Sequence, residues 1–198
     1  MARLDLAHTK PPRKGINYPC DVTRSHLMHV NQTPIYEQSN NPTGCCPRFN
    51  PAGWDEVTLH FQNKSFVKAN TVSLAHVPLN MGRVFARVLG QLQASGQEAG
   101  AQHIVLSRDL SAFQGEHLFA TKGDVQGAQM TTLSGDFLTK VFEGPFSDQP
   151  EWEGQLREMA ENAGTTAGDV WFFYTTCPKC AKIYGKNPVV GLVELKAA

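Results

Sequence analysis

Four of the five cysteines fall into two close pairs: Cys45-Cys46, followed by Pro47, and Cys177-Pro178-Lys179-Cys180, directly behind the aromatic run Trp171 to Tyr174. Thiolates bind soft metals, exchange disulfides and attack electrophiles, so two pairs on separate loops define one site if the fold brings them together. Such a site would be tetrahedral, closed by four sulfurs around a structural zinc or left open to water at one position. Three readings stand side by side: a bound metal, thiols packed together without a ligand, and redox work favoured by Lys179 inside the CxxC. The spacing matches no standard zinc ribbon. Neighbouring side chains point apart in extended backbone, so Cys45 and Cys46 can converge only in a loop, which Gly44 and Pro47 favour.

Other residues could also do chemistry. His76, near the end of an extended stretch before Pro78, is placed to enter a cleft as acid, base or ligand, or to sit in the core as a satisfied histidine. Glu143, just ahead of Gly144-Pro145, is the first carboxylate to expect at a pocket wall, with a solvated loop position as its alternative. Trp54, Phe172 and Tyr174 are candidates for lining a ligand pocket, because rigid rings supply large apolar contact area. On a strand, Phe172 and Tyr174 share one face and Trp171 and Phe173 the other, so only one set can face a groove. Asp55 is placed to cap the next element or to meet Arg48, while Cys20, His26 and His29 are either further ligands or ordinary surface groups. No G-x-S-x-G elbow, P-loop, dinucleotide fingerprint or H-E-x-x-H helix is present, so Ser/His/Asp hydrolysis and nucleotide chemistry lack their usual signatures.

The elements that must position these groups follow from periodicity. Residues 1–44 are polar and punctuated by five prolines, which reads as an N-terminal extension, and the domain proper spans 45–198. Val57 to Phe61 and Ser65 to Val72 alternate as strands, with Gln62-Asn63-Lys64 as a hairpin turn and extended chain continuing to Val77. A helix follows from about Asn80, with Val84, Phe85, Val88, Leu89 and Leu92 at three-four spacing and Gly96 as its exit. Strands are expected over 103–110, 115–121 and 137–142, then a helix from Pro150 to about Ala163 with Trp152, Leu156, Met159 and Ala160 as its stripe. After a linker at 164–169, strands at 171–176 and 189–195 flank the CxxC loop. Two successive runs of strands, helix and strands predict an α+β fold with a pseudo-symmetric pair of units.

The chain has 198 residues, enough for one good core, and its 18 basic and 18 acidic residues cancel. No basic surplus exists to neutralise phosphates or hold an anionic membrane, so neither nucleic acid nor membrane is an expected partner. The opening residues resemble no signal peptide and no stretch is long and apolar enough for a span, which predicts a cytoplasmic protein with reduced thiols.

The strings Cys45-Cys46-Pro47-Arg48-Phe49-Asn50-Pro51, His76-Val77-Pro78-Leu79-Asn80-Met81-Gly82, Val141-Phe142-Glu143-Gly144-Pro145-Phe146 and Thr175-Thr176-Cys177-Pro178-Lys179-Cys180-Ala181-Lys182-Ile183-Tyr184-Gly185 together resemble a family of small bacterial proteins labelled "hydrolase". The order of elements around residues 135–152 also resembles the gyrase-inhibitor-like (GyrI-like) ligand-binding fold. That second resemblance implies a groove between two strand-helix-strand-strand units, a bulky small-molecule ligand and, in some members, hydrolysis of electrophilic compounds by a pocket glutamate. Here the corresponding strand reads Phe172-Phe173-Tyr174, with no carboxylate. Two functional expectations follow: a cytoplasmic small-molecule binder that acts as a hydrolase or detoxifier of electrophiles, or a cysteine-based zinc or thiol-redox module.

Overall fold

Alternation of apolar residues along long strands decides the architecture. The computed structural model describes residues 29–197. Seven strands, β1 (Thr58–Leu74), β2 (Val77–Pro78), β3 (Val105–Ser111), β4 (Gln114–Ala120), β5 (Met130–Glu143), β6 (Thr166–Tyr174) and β7 (Pro188–Lys196), alternate with α1 (Met81–Ser95), α2 (Gln149–Asn162) and α3 (Pro178–Tyr184). The sheet runs β2-β1-β4-β3-β6-β7-β5, and β5 pairs again with β1. Six antiparallel strands therefore close into a barrel, with β2 as a short appendage on β1.

The two faces of the strands feed separate cores. Leu59, Phe61, Phe66, Leu106, Leu118, Phe137, Trp171 and Phe173 fill the barrel. On the outside, α1 lays Val84, Val88 and Leu92 against Val67, Ala69 and Phe119, and Gly96 ends the helix in the left-handed conformation. On the β6–β7–β5 side, α2 lays Trp152, Leu156 and Ala160 against Phe142, Phe172 and Val193. The approach of α2 depends on Gly191, where a Cβ would stand 2.5 Å from Leu156 Cδ1. The predicted split of the aromatic run holds: Trp171 and Phe173 point into the barrel and Phe172 lies under α2.

Four local expectations change. Gln62-Asn63-Lys64 is a β-bulge rather than a hairpin turn, with the register shifting between Phe61 and Lys64 and Asn63 at φ 48°. The bulge bends one continuous strand so that its first part pairs with β5 and its second with β4, as barrel closure requires. Asn31 clamps the bend, bonding Gln62 through both side-chain atoms at 2.8 Å and accepting the Lys64 ammonium at its carbonyl at 2.6 Å. The extended run expected to reach Pro78 instead reverses at Ala75-His76, both with positive φ, the two-residue turn that suits strand twist. β6 begins at Thr166, inside the expected linker, and the CxxC segment is the helix α3.

The segment before Cys45 is more than an appendage. Tyr36 is buried in the barrel core, its ring edge-on to Phe173 at 5.5 Å and its hydroxyl donating to the Thr175 carbonyl at 2.9 Å. Cys20 and His26 lie outside the described residues, and His29 is exposed. Among the described residues, no helix is long and apolar enough to cross a membrane.

Candidate functional site

The loop before Phe49 brings the first cysteine pair to the second. Gly44, at φ 64°, and the hydrogen bonds Gly44 N–H to Asn41 O (3.2 Å) and Arg48 N–H to Asn40 O (2.7 Å) fold residues 40–48 back on themselves. Thr43 is the hub: its hydroxyl oxygen accepts the backbone N–H of both Cys45 and Cys46 at 3.3 Å. This conformation turns neighbouring side chains the same way, so Cys45 Sγ lies 3.7 Å from Cys46 Sγ. On the other side, Pro178 occupies the first turn of α3 and Cys177 caps it, accepting the Cys180 N–H on sulfur at 3.5 Å. Cys45 Sγ is 3.9 Å from Cys177 Sγ, and all four sulfurs lie within 4.8 Å of one another. None of the four is in a disulfide.

These distances can be compared with a metal's demands. Zinc–thiolate bonds of about 2.3 Å in a tetrahedron separate the sulfurs by about 3.8 Å, so the Cys45–Cys46 and Cys45–Cys177 edges, at 3.7 and 3.9 Å, fit four ligands around one ion. The surroundings also suit thiolates. The Cys177 N–H donates to Cys46 Sγ at 3.3 Å, Tyr184 bonds both the Cys46 carbonyl (2.5 Å) and the Thr43 hydroxyl (3.1 Å), and Cys180 meets Thr43 at 3.3 Å. Arg48 lies 4.4 Å over the Tyr184 ring, adding a cation beside the cluster.

The thiols respond unequally to this crowding. The hydrogen bond with Thr43 brings Cys180 down to about 7. Burial pushes Cys46 strongly up. For Cys45, a hydrogen bond with Cys46 favours the thiolate, but partial burial and the neighbouring Cys177 and Cys180 outweigh it and raise the thiol. Four sulfurs this close cannot all ionise without a compensating cation, and a divalent ion reverses that balance by drawing the remaining protons off.

The other sequence candidates occupy different places. His76 sits at the β1–β2 turn, exposed, with Nδ1 2.7 Å from Asp109 Oδ2. The pair lies in an open groove of about 600 Å³ that Arg108, Phe146, Glu153 and Asp169 also line. The groove is open and mixed in lining, with Leu110 and Phe146 among charged side chains, rather than an enclosed aromatic pocket. Tyr174 is half-buried beside it, edge-on to Phe146 at 5.4 Å, with its hydroxyl pushed up by burial and by Asp109. Phe172 is buried under α2, and Trp54 is buried in the barrel interior, 5.6 Å from Phe173, so Trp54, Phe172 and Tyr174 do not share one wall. Glu143 is exposed at the end of β5, 3.8 Å from Lys186. Asp55 accepts the Val141 N–H at 2.8 Å. Sequence reasoning missed Thr43, Tyr36 and Asp109. Only Thr43, in its Pro-Thr-Gly turn, carried a local signal.

The family model described as "Bacterial hydrolase" matches residues 36–195. Among solved structures, an uncharacterized conserved protein from Listeria innocua aligns at 10% identity and a TM-score of 0.52, covering 72% of this chain and 93% of that one. That likeness bears on the fold alone. The structure of SAV2435 bound to tetraphenylphosphonium aligns at 11% identity and a TM-score of 0.46, covering 72% of this chain and 94% of that one. No curated protein matches.

Proposed function

The chain belongs to the bacterial hydrolase family, and we propose that within it this protein is a zinc-binding member whose Cys45, Cys46, Cys177 and Cys180 hold one ion as four thiolates. The observation that carries this reading is the convergence of two pairs 131 residues apart, Cys46 and Cys177, into one cluster with sulfurs within 4.8 Å. Four thiolates complete the tetrahedron, so a bound zinc supplies structure rather than an activated water. Its role is to tie the 40–48 loop to the start of α3, holding in place the segment that delivers Tyr36 to the barrel. Cobalt(II) replacement tests it. Wild-type protein should show the intense visible bands of a tetrahedral tetrathiolate ion, strongly reduced in Cys180→Ser, whereas the faint spectrum of hexa-aqua cobalt in both would overturn the assignment.

A second reading concerns the groove. The strand order gives β1-β4-β3 in one half and β5-β7-β6 in the other, with one helix on each half, which supports a GyrI-like pair of units over residues 45–198 and a small-molecule ligand on the outer face. The His76–Asp109 pair favours hydrolysis there: a carboxylate on Nδ1 orients the ring and leaves Nε2 to take a proton from water. Phe146 and Tyr174 would offer the aromatic contact and Glu143, further off, a secondary carboxylate. Assay of electrophilic esters and epoxides in a cytoplasmic-pH buffer, with wild type, His76→Ala, Asp109→Asn and Glu143→Gln, separates these roles. Turnover lost in the first two variants and kept in the third supports the dyad; turnover unchanged in all three refutes it.

A further inference from the structure

The β1–β2 hairpin reverses the normal sense of a half-buried strand. Thr71 and Ser73, alternate residues on one face, are buried, and Thr71 Oγ1 bonds the buried His117 Nε2 at 3.0 Å. On the opposite face Val72, Leu74, Val77 and Leu79 are 57%, 59%, 62% and 66% exposed. These four share a side because Leu74 pairs directly with Val77, while the Leu79 N–H donates to the Val72 carbonyl at 2.8 Å. The register is not free to slip by one residue and hide them. Asn80 Oδ1 accepts the Val72 N–H at 2.9 Å, Ser73 N–H donates to Phe113 O at 2.8 Å, and Gly115 leaves room for Thr71, where a Cβ would stand 2.7 Å from its hydroxyl.

The adjoining β3–β4 tip adds Leu110 and Phe113, 44% and 64% exposed. Together the six side chains present on the order of 500 Å² of apolar surface, against the roughly 800 Å² that each partner contributes to a standard interface. None of them carries a charge. A surface without charge gives no electrostatic selection for an oppositely charged partner, and a chain of net charge zero meets its own copy without repulsion.

We propose that this apolar hairpin face, Val72, Leu74, Val77 and Leu79 with Leu110 and Phe113 beside it, is the contact surface of a homodimer in which the same face of a second copy packs on it about a twofold axis. The inference is independent of the metal centre, since none of these residues touches the cysteine cluster.

Sedimentation velocity of the full-length chain across the micromolar range tests it, with Leu74→Glu, Val77→Glu and, as a control, Ile35→Glu, an exposed apolar residue on a different segment. Far-UV circular dichroism checks that each variant folds, and two hairpin variants are used so that one failure leaves the other decisive. Wild type and Ile35→Glu should show a concentration-dependent monomer–dimer equilibrium, and either hairpin variant should weaken it by about tenfold or more. A wild-type chain that stays monomeric throughout overturns the proposal. So does a dimer that both hairpin substitutions leave intact, or one broken by Ile35→Glu alone.

Discussion

Replacing Tyr36 with alanine tests whether the segment before the cysteines belongs to the fold. The side chain is 7% exposed, sits edge-on to Phe173 at 5.5 Å and lies 6.2 Å from Phe49, and its hydroxyl satisfies the Thr175 carbonyl at 2.9 Å. Truncating a buried aromatic side chain to alanine costs about 3–5 kcal/mol, because the ring's contacts are lost and the barrel mouth cannot collapse onto the vacancy. At 2–4 °C per kcal/mol for a chain of this size, the melting temperature should fall by about 6–20 °C. Tyr36→Phe keeps the ring and isolates the hydroxyl, and should cost about 1 kcal/mol for the bond removed from a buried carbonyl. Ile35→Ala, next door but exposed, should stay within about 0.5 kcal/mol of wild type. Urea unfolding followed by circular dichroism, extrapolated to water, ranks the three. If Tyr36→Ala matches Ile35→Ala, the barrel closes without this segment and the reasoning from its burial fails.

Three further outcomes follow from packing, burial and ligation. Burial holds His117 at about 4, below the ordinary value of 6.5, so the unfolded chain binds the extra proton first: its contribution is complete above about pH 6.5 and is lost as pH falls to about 4, of order 3 kcal/mol. His117→Gln should flatten the stability-versus-pH curve in that window, and an unchanged slope refutes the assignment. Gly191→Ala should cost about 1–3 kcal/mol in denaturant unfolding because the new methyl meets Leu156 and Phe142, and a neutral result would mean that α2 stands further from β7. Prolonged chelation should lower the melting temperature of wild type and leave Cys177→Ser, already deprived of a ligand, nearly unaffected; equal responses would contradict a metal held by these thiols.

The sequence was most legible where a period or a pair carried the information. Val84, Val88 and Leu92 repeat at helical spacing and form the buried stripe of α1, and the alternation Trp171, Phe172, Phe173 sorts correctly between the barrel interior and α2. The cysteine pairs were visible as chemistry, but their meeting depends on a turn set by Gly44 and Thr43 and on barrel closure, which spacing does not encode. Polar Gln62-Asn63-Lys64 mimicked a turn because a bulge and a turn use the same residue types, and only pairing with two different strands tells them apart. Tyr36 hid among prolines and polar neighbours, where no periodicity marks a single inward residue. His76 was recognised without its partner, since Asp109 arrives from β3 by tertiary contact alone.

The central claim is that Cys45, Cys46, Cys177 and Cys180 bind one zinc ion, and metal content measured together with thiol reactivity tests it most directly. Native protein, purified without chelator or added metal, should contain one zinc per chain by mass spectrometry, with these four cysteines unreactive toward a thiol reagent until the metal is removed. Metal-free protein in which the exposed Cys45 reacts at once, and which takes up no zinc when zinc is supplied under reducing conditions, would contradict it.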